Sequence, residues 1–219
     1  MSGLFILSGN ACQLCQQEEV NMPPRRVILV RHGETNWNLA GRFQGHADPG
    51  LNAKGESQAV AVAALLAGEE VAAIFTSDLA RAVGTGRHIG AVHGIPLKME
   101  PLLREINFGA WEGLTFREIQ AQYPEVLQDW LQDPFSLRVP GGETAGELGQ
   151  RVIMAWNRIL HEANTGQTVV IVAHAGPLRM LLCQLTGIFL SRQWEFHIGH
   201  GEPVFLINSG STYRIVDNR

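Results

Sequence analysis

The sequence predicts an α/β fold in which helices cover both sides of a mostly parallel sheet. Strand-like and helix-like stretches alternate along the chain, which is the order typical of parallel sheets with helical crossovers. Two stretches, "RVILVR" and "QTVVIVAH", are nearly continuous apolar runs, as expected for strands that are buried on both faces. Between them lie apolar stretches bounded by glycines, which are typical of packed helices.

The first half of the chain predicts three strands and two helices. Residues 26–31 form the first apolar strand, and the small, apolar residues 56–68 form the first helix. Residues 71–77 predict a second strand, and residues 78–94 predict the helix that follows it. Residues 95–103 contain two prolines, which place this short strand toward an edge of the sheet.

Two local features of the helix over residues 78–94 bear on its stability. Ser77 or Asp78 is suited to cap its first turn, because short polar side chains accept hydrogen bonds from free backbone N–H groups. Gly84, Gly86 and Gly90 lie inside it, and each glycine weakens a helix. We therefore expect a capped but loosened helix.

The second half of the chain continues the alternation. Residues 114–133 predict two short helices separated by a proline, and residues 144–164 predict a long helix with an apolar face. Residues 167–174 are the most strand-like stretch of the protein, and residues 176–187 form an apolar helix. Two further strands close the chain and pair as a hairpin: residues 202–208 and 211–216.

Composition places the chain among ordinary globular proteins. It has 219 residues, of which 45% are hydrophobic and 17% charged, enough for one domain with a substantial core. We assign residues 22–219 to that domain and residues 1–21 to an N-terminal extension, which we expect to be flexible. The formal net charge of -4 argues against nucleic acid as a partner. No apolar window approaches the length of a membrane span, so we expect a cytoplasmic protein with no membrane partner.

The cysteines do not form a disulfide framework. Cys12, Cys15 and Cys183 are too few, and they favour a reducing compartment. Cys12 and Cys15 form a CxxC pair, which is half of a typical zinc site. The other half would have to come from Cys183 or from His197 and His200, and no second closely spaced pair is present. We therefore predict that no metal is bound.

A histidine follows each of the two strongest strands. "VILVRH" ends at His32, and "VVIVAH" ends at His174. In a parallel sheet both side chains emerge at the carboxyl edge, where open α/β sheets bind their ligands. If the strands are neighbours, their ends lie about 5 Å apart. A single histidine there is usually only hydrogen-bonded, but two at equivalent ends predict a functional site.

Two arginines are predicted at the same edge. Arg31 precedes His32, and Arg81 lies in the first turn of the helix after the second strand. Guanidinium groups bind phosphate oxygens bidentately and keep their charge, and a neutral imidazole can attack phosphorus. The set therefore indicates phosphoryl transfer to a histidine. The arginines, and His174 if it is protonated, would stabilise the charge without a metal or a cofactor.

Phosphoryl transfer to a histidine also needs an acid for the leaving oxygen and later a base for water. Five carboxyl side chains are candidates: Glu34, Asp48, Glu105, Glu112 and Glu143. The apolar neighbours of Glu105 in "LLREINFGAWEG" favour the neutral carboxyl that an acid requires. Glu112, in the same turn, is explained at least as well as a carboxylate that stabilises the loop.

Five blocks of the sequence resemble, in order, the motifs of the histidine phosphatase superfamily, in its phosphoglycerate mutase-like branch. The blocks are "LVRHGETNWN", "SDLARAVGT", "LREINFGAWEG", "PGGET" and "VVIVAHAGPLR". They extend over residues 26–186. The resemblance implies a three-layer α/β/α sandwich and a metal-independent phosphomonoesterase whose partner is a small phosphorylated metabolite. The oligomeric state is open, with a homodimer as one option.

The resemblance also implies roles for individual residues. His32 would be phosphorylated, Glu105 would donate the proton, and Arg31, Arg81 and His174 would bind the phosphoryl group. The implied substrate-binding positions are Asn38, Arg42, Gln44, Gly45 and Ala175. Ala175 departs from the family pattern, which usually has glycine after the second histidine.

Three activities fit these motifs. A phosphatase is favoured over a cofactor-dependent phosphoglycerate mutase, because mutases tend to read "ERHYG" where this chain has "REINFGAWEG". Among phosphatases, the chain is most similar to alpha-ribazole phosphatases of cobalamin biosynthesis, and phosphoserine phosphatases share the pattern. A non-catalytic phosphate-binding protein would commonly have lost the nucleophile or the acid.

Four aromatic residues either stack on a substrate ring or belong to the core: Trp37, Phe43, Phe108 and Trp111.

Overall fold

The computed structural model describes residues 23–163 and 166–216, so residues 1–21, with Cys12 and Cys15, lie outside the described residues. Within these two ranges, six strands form one sheet: β1 (Arg26–Arg31), β2 (Val71–Thr76), β3 (Leu97–Met99), β4 (Thr168–Ala173), β5 (Pro203–Asn208) and β6 (Tyr213–Val216). Their order across the sheet is β3-β2-β4-β1-β5-β6. The first four strands in that order pair in parallel, and β5 pairs antiparallel with both β1 and β6. The mostly parallel sheet, the edge position of β3 and the terminal hairpin are therefore confirmed.

Seven α-helices connect or flank the strands in the described residues: α1 (Asn36–Leu39), α2 (Ala53–Leu66), α3 (Ala80–His93), α4 (Phe116–Gln122), α5 (Pro124–Gln132), α6 (Ala145–Glu162) and α7 (Ala175–Thr186). Pro124 starts α5 at a position where its missing N–H is not needed, which explains why two short helices replace a long one. The short α1 was not predicted. None of the helices in the described part of the chain is long and apolar enough to cross a membrane.

The sheet is buried on both faces because its central strands are apolar at successive positions. On β1, Val27 and Leu29 pack into a core with α6 and α7, whereas Ile28 and Val30 pack into a second core with α2 and α3. This division follows from the period of two along a strand. The result is the predicted three-layer α/β/α sandwich.

A third, smaller apolar cluster joins α4 and α5 to the turn before them. Trp111 is fully buried in this cluster with Ile119 and Leu127, and Phe43 and Phe108 pack against it. Trp111 is therefore a core residue rather than a residue that stacks on a ligand.

The predicted cap of α3 is wrong. Neither Ser77 nor Asp78 caps this helix, because Leu79 occupies the N-cap position and makes no side-chain cap. Asp78 instead binds Arg104 through both carboxylate oxygens. The amide of Ala80 donates to Asp48 Oδ1 over 2.6 Å, so a carboxylate from a distant loop serves the first turn of α3.

The glycines of α3 allow close packing. A Cβ on Gly90 would lie 2.8 Å from the backbone oxygen of Ile95, whereas a Cβ on Gly84 would meet only the end of the Leu51 side chain at 3.0 Å. A backbone oxygen moves less readily than a side-chain methyl group. Packing therefore requires glycine at position 90 but not at position 84.

We expect Gly90→Ala to lower the free energy of unfolding by about 1–3 kcal/mol, as overpacked sites do. This loss would occur although alanine has the better helix propensity by about 1 kcal/mol. Gly84→Ala is the matched control in the same helix and should leave stability equal or higher. Urea unfolding followed by circular dichroism measures both, and a Gly90→Ala protein as stable as the Gly84→Ala protein would contradict the packing explanation.

Candidate active site

The two histidines meet because β1 and β4 are adjacent and parallel. The register pairs Arg31 with Ala173, so the next residues, His32 and His174, leave the sheet side by side. Their ring centroids lie 5.0 Å apart, and both side chains are buried. The predicted approach of the two imidazoles is confirmed.

His32 is held as a neutral imidazole. Its Nδ1 lies 2.7 Å from the carbonyl oxygen of Gly33, which can only accept a hydrogen bond, so the lone pair is on Nε2. Burial holds the pKa of His32 well below its ordinary value, and the positive charges of Arg81 and Arg31 lower it further. A neutral imidazole with a free Nε2 is the form that attacks phosphorus.

Arg81 is fully buried and is fixed at three points. Its Nη1 and Nη2 donate to the carbonyl oxygens of Ala47 and Gly45, each over 2.8 Å, and its Nε donates to His174 Nδ1 over 3.2 Å. The proton of His174 is therefore on Nε2, which lies 2.9 Å from Ser77 Oγ. Burial lowers the pKa of His174 well below its usual value. His174 is thus neutral in this arrangement, and the arginines supply the positive charge.

Arg31 lies under the loop that precedes β5. Its Nη1 donates to the carbonyl oxygen of Ile198 over 3.0 Å, and its own carbonyl oxygen accepts from the Gly201 amide. Arg31 Nε is buried and has no hydrogen-bond partner among the described residues. A buried donor without a partner is costly, and such a donor at the wall of a cavity is suited to an anion.

His32, Arg31 and Arg81 line a cavity of about 240 Å³. Its wall includes seven of the predicted site residues: Arg31, His32, Asn38, Arg42, Gln44, Arg81 and Glu105. Three predicted residues lie elsewhere. Gly45 supports Arg81 through its carbonyl group, His174 lies behind that guanidinium, and Ala175 borders a neighbouring cavity.

Ala175 causes no backbone strain in the position where the family usually has glycine. It is the first residue of α7, and none of the described non-glycine residues has a positive φ angle. The substitution therefore leaves the start of α7 regular.

Glu105 is the acid candidate that lines the cavity. The other four candidates are not among the residues that line it. Their partners are Lys54 for Glu34, the Ala80 amide for Asp48, the His46 and Ala47 amides for Glu112, and Arg151 for Glu143. The interpretation of Glu112 as a loop-stabilising carboxylate agrees with these contacts. Of the five, Glu105 is the one that lines this cavity, and it is also the one that its apolar neighbours favoured in the sequence.

Helix α7 and Arg151 hold Glu105 in place. Its Oε1 accepts from the amides of Ile106 and Gly176 over 2.9 and 3.2 Å. A Cβ on Gly176 would lie 2.3 Å from that oxygen, so only glycine permits this approach. Arg151 donates to the carbonyl oxygen of Glu105 and pairs with Glu143, which fixes the turn that carries the acid.

Several supporting residues were not predicted from the sequence. Arg151 had no predicted role, Ser77 was considered only as a helix cap, and His200 was considered only as a zinc ligand. His200 instead donates from Nδ1 to the carbonyl oxygen of His32 over 3.0 Å. The contacts of Arg151 with Glu105, of Ser77 with His174 and of His200 with His32 join residues far apart in sequence, so no local pattern signals them. Within residues 23–163 and 166–216, no group of three or more His, Cys, Asp or Glu side chains is arranged to hold a metal ion.

Comparison with known proteins agrees with this geometry. Residues 27–216 match the model of the histidine phosphatase superfamily (branch 1). The chain is 34% identical over 171 residues to phosphoserine phosphatase 1 of Hydrogenobacter thermophilus, an alignment that covers 78% of this chain and 81% of that protein. It is 31% identical over 196 residues to the adenosylcobalamin/alpha-ribazole phosphatase of Escherichia coli, covering 89% and 96% of the two chains.

A solved structure shows the same fold. The alpha-ribazole phosphatase from Shigella flexneri superposes with a TM-score of 0.80 at 29% sequence identity, covering 87% of this chain and 94% of that chain. The order of the motifs, the three-layer fold and these matches agree with one another. The chain belongs to the histidine phosphatase superfamily, and it is a phosphatase.

Proposed function

We propose that the protein is a metal-independent phosphomonoesterase that works through a phosphohistidine at His32. The observation that carries the proposal is one cavity whose wall contains neutral His32, the guanidinium groups of Arg31 and Arg81, and the carboxyl of Glu105. The unpaired Nε of Arg31 and the fixed guanidinium of Arg81 suit the oxygens of a phosphoryl group. Asn38, Arg42 and Gln44 would complete the binding of the substrate.

In the first step, the lone pair of His32 Nε2 forms a bond to phosphorus. The bond between phosphorus and the ester oxygen breaks, and that oxygen takes the proton of the Glu105 carboxyl and leaves as an alcohol. Arg31 and Arg81 stabilise the charge on the equatorial oxygens, because they are already held in place before the reaction.

In the second step, water attacks the phosphohistidine. The Glu105 carboxylate takes a proton from the water, the new oxygen bonds to phosphorus, and the bond between nitrogen and phosphorus breaks. Its electron pair returns to His32 Nε2, and phosphate is released. Glu105 thus acts first as an acid and then as a base.

The substrate we propose is a small phosphorylated metabolite, with alpha-ribazole 5'-phosphate as the first candidate. Support comes from the relative named adenosylcobalamin/alpha-ribazole phosphatase, which the alignment covers over 96% of its length. Phosphoserine is the second candidate, because a relative with 34% identity is named phosphoserine phosphatase 1. Specificity constants on both esters decide between them. Bisphosphoglycerate-dependent exchange between phosphoglycerate isomers would identify a mutase instead.

We expect the protein to hydrolyse p-nitrophenyl phosphate in the presence of EDTA. His32→Ala should abolish the acid-labile phosphoenzyme, because no other histidine, cysteine, serine or threonine is among the described residues that line the cavity. Quenched-flow labelling with radioactive substrate measures the intermediate. His88→Ala is the control, since His88 lies on α3 and pairs with Glu56 at the surface. A labelled His32→Ala protein, or a native protein inactive between about pH 5 and 8, would defeat the proposal.

Glu105→Gln should lower kcat/KM by about 10²- to 10⁴-fold for esters of primary alcohols, whose oxygen needs a proton to leave. The loss should be much smaller for p-nitrophenyl phosphate, because nitrophenolate leaves without protonation. Steady-state kinetics on both esters measure the difference. Equal losses on the two substrates would argue against an acid role.

Arg81→Lys should lower kcat/KM by on the order of a hundredfold, because one ammonium group cannot reach Gly45, Ala47 and His174 at once. Arg87→Lys is the matched control on the exposed side of the same helix and should behave like the native protein. Kinetics on p-nitrophenyl phosphate compare the two, and near-normal activity of Arg81→Lys would contradict the assigned role.

A further inference from the structure

Glu105 borders a second cavity, of about 190 Å³, on the side of α7. Glu105 and Phe108 line both cavities, so the two cavities adjoin at the acid. The wall of the second cavity is mostly apolar, and it includes Leu148, Met180 and Trp194. We call this second space the leaving-group cavity.

Two residues that line the leaving-group cavity carry buried hydrogen-bond donors without a partner among the described residues. Gln193 is only 3% exposed, it lines the cavity, and its Nε2 has no partner within the described part of the chain. Trp130 also lines the cavity, and its indole Nε1 likewise has no hydrogen-bond partner among the described residues. Buried donors in native proteins are nearly always satisfied. Two of them at one cavity indicate a ligand that carries an acceptor oxygen.

A positive charge also borders this cavity. The guanidinium of Arg179 lies over the Trp194 ring, 5.3 Å from its centroid, and its Nε donates to the carbonyl oxygen of Phe196. An ammonium group of a ligand would lose its hydration in this apolar space and would be repelled by the Arg179 guanidinium. An acceptor oxygen, above all that of a carboxylate, would instead accept hydrogen bonds from the unpaired donors of Gln193 and Trp130.

We propose that the leaving-group cavity binds the alcohol part of the substrate and selects alcohols with a flat apolar body and an acceptor oxygen over alcohols that carry an ammonium group. The inference rests on the proposed function, because the alcohol oxygen must touch Glu105 to receive its proton. A substituent on that oxygen then extends past Glu105, where the leaving-group cavity lies. Phosphoserine is disfavoured by this chemistry, and an ester with an aromatic ring is favoured.

Four esters of primary alcohols test the selection in the native protein: methyl phosphate, benzyl phosphate, 4-carboxybenzyl phosphate and O-phosphoserine. We expect kcat/KM to be at least about tenfold higher for benzyl than for methyl phosphate, as apolar pockets discriminate. The carboxylate should add about another tenfold through the unpaired donors. O-phosphoserine should fall below benzyl phosphate. Equal values for benzyl and methyl phosphate, or a preference for O-phosphoserine, would overturn the inference.

Two variants then locate the selection. Trp194→Ala removes a wall that is 58% exposed, so it spares the core, and it should lower the benzyl-to-methyl ratio by on the order of tenfold. Gln193→Leu removes a donor and should lower the carboxybenzyl-to-benzyl ratio by a similar factor. Phe189→Ala is the control, because Phe189 is 81% exposed in the same segment. If Trp194→Ala and Gln193→Leu both kept the kcat/KM ratios of the native protein, the alcohol would bind elsewhere.

Acetyl phosphate separates failure of this inference from failure of the proposed function. Its leaving group is small and needs no proton, so it tests only the attack by His32. Phosphoenzyme from acetyl phosphate without any preference among the four esters would reject the leaving-group cavity alone. Absence of phosphoenzyme with every phosphate compound would reject the proposed function itself.

Discussion

The parallel pairing of β1 with β4 is the constraint on which the site depends. A slip of one residue would turn the side chains of β1 to the opposite faces, and Val27 and Ile28 would then exchange cores. Both cores oppose such a slip. The apolar packing of the sheet therefore fixes where His32 and His174 emerge.

A buried positive charge imposes the next requirement. Arg81 is held by backbone carbonyl groups of Gly45 and Ala47, and burial of a guanidinium is tolerable only when such partners are present. The Ala47 amide is in turn bound by Glu112. The Glu112 carboxylate thus holds Ala47, and Ala47 in turn holds Arg81. The negative charge of Glu112 also offsets part of the positive charge of the Arg81 guanidinium.

The fold was predictable because its signals are local, whereas much of the site was not. Apolar runs and glycine or proline boundaries identify strands and helices from a few neighbouring residues, and the family motifs place His32 and Arg81. The cap of α3 escaped prediction because Asp48 lies far from Ala80 in sequence. The role of Arg151 escaped for the same reason, because the carbonyl group of Glu105 to which it donates belongs to a distant segment.

Glu105 lies where the two cavities adjoin, and this position suits the two proton transfers proposed for it. On one side, the amides of Ile106 and Gly176 donate to Oε1, which fixes the direction of the carboxyl group. On the other side lies the mostly apolar wall of the leaving-group cavity. In the proposed reaction the alcohol leaves along that wall, and water then takes its place beside the same carboxyl oxygens. One fixed carboxyl group therefore suits both proposed steps.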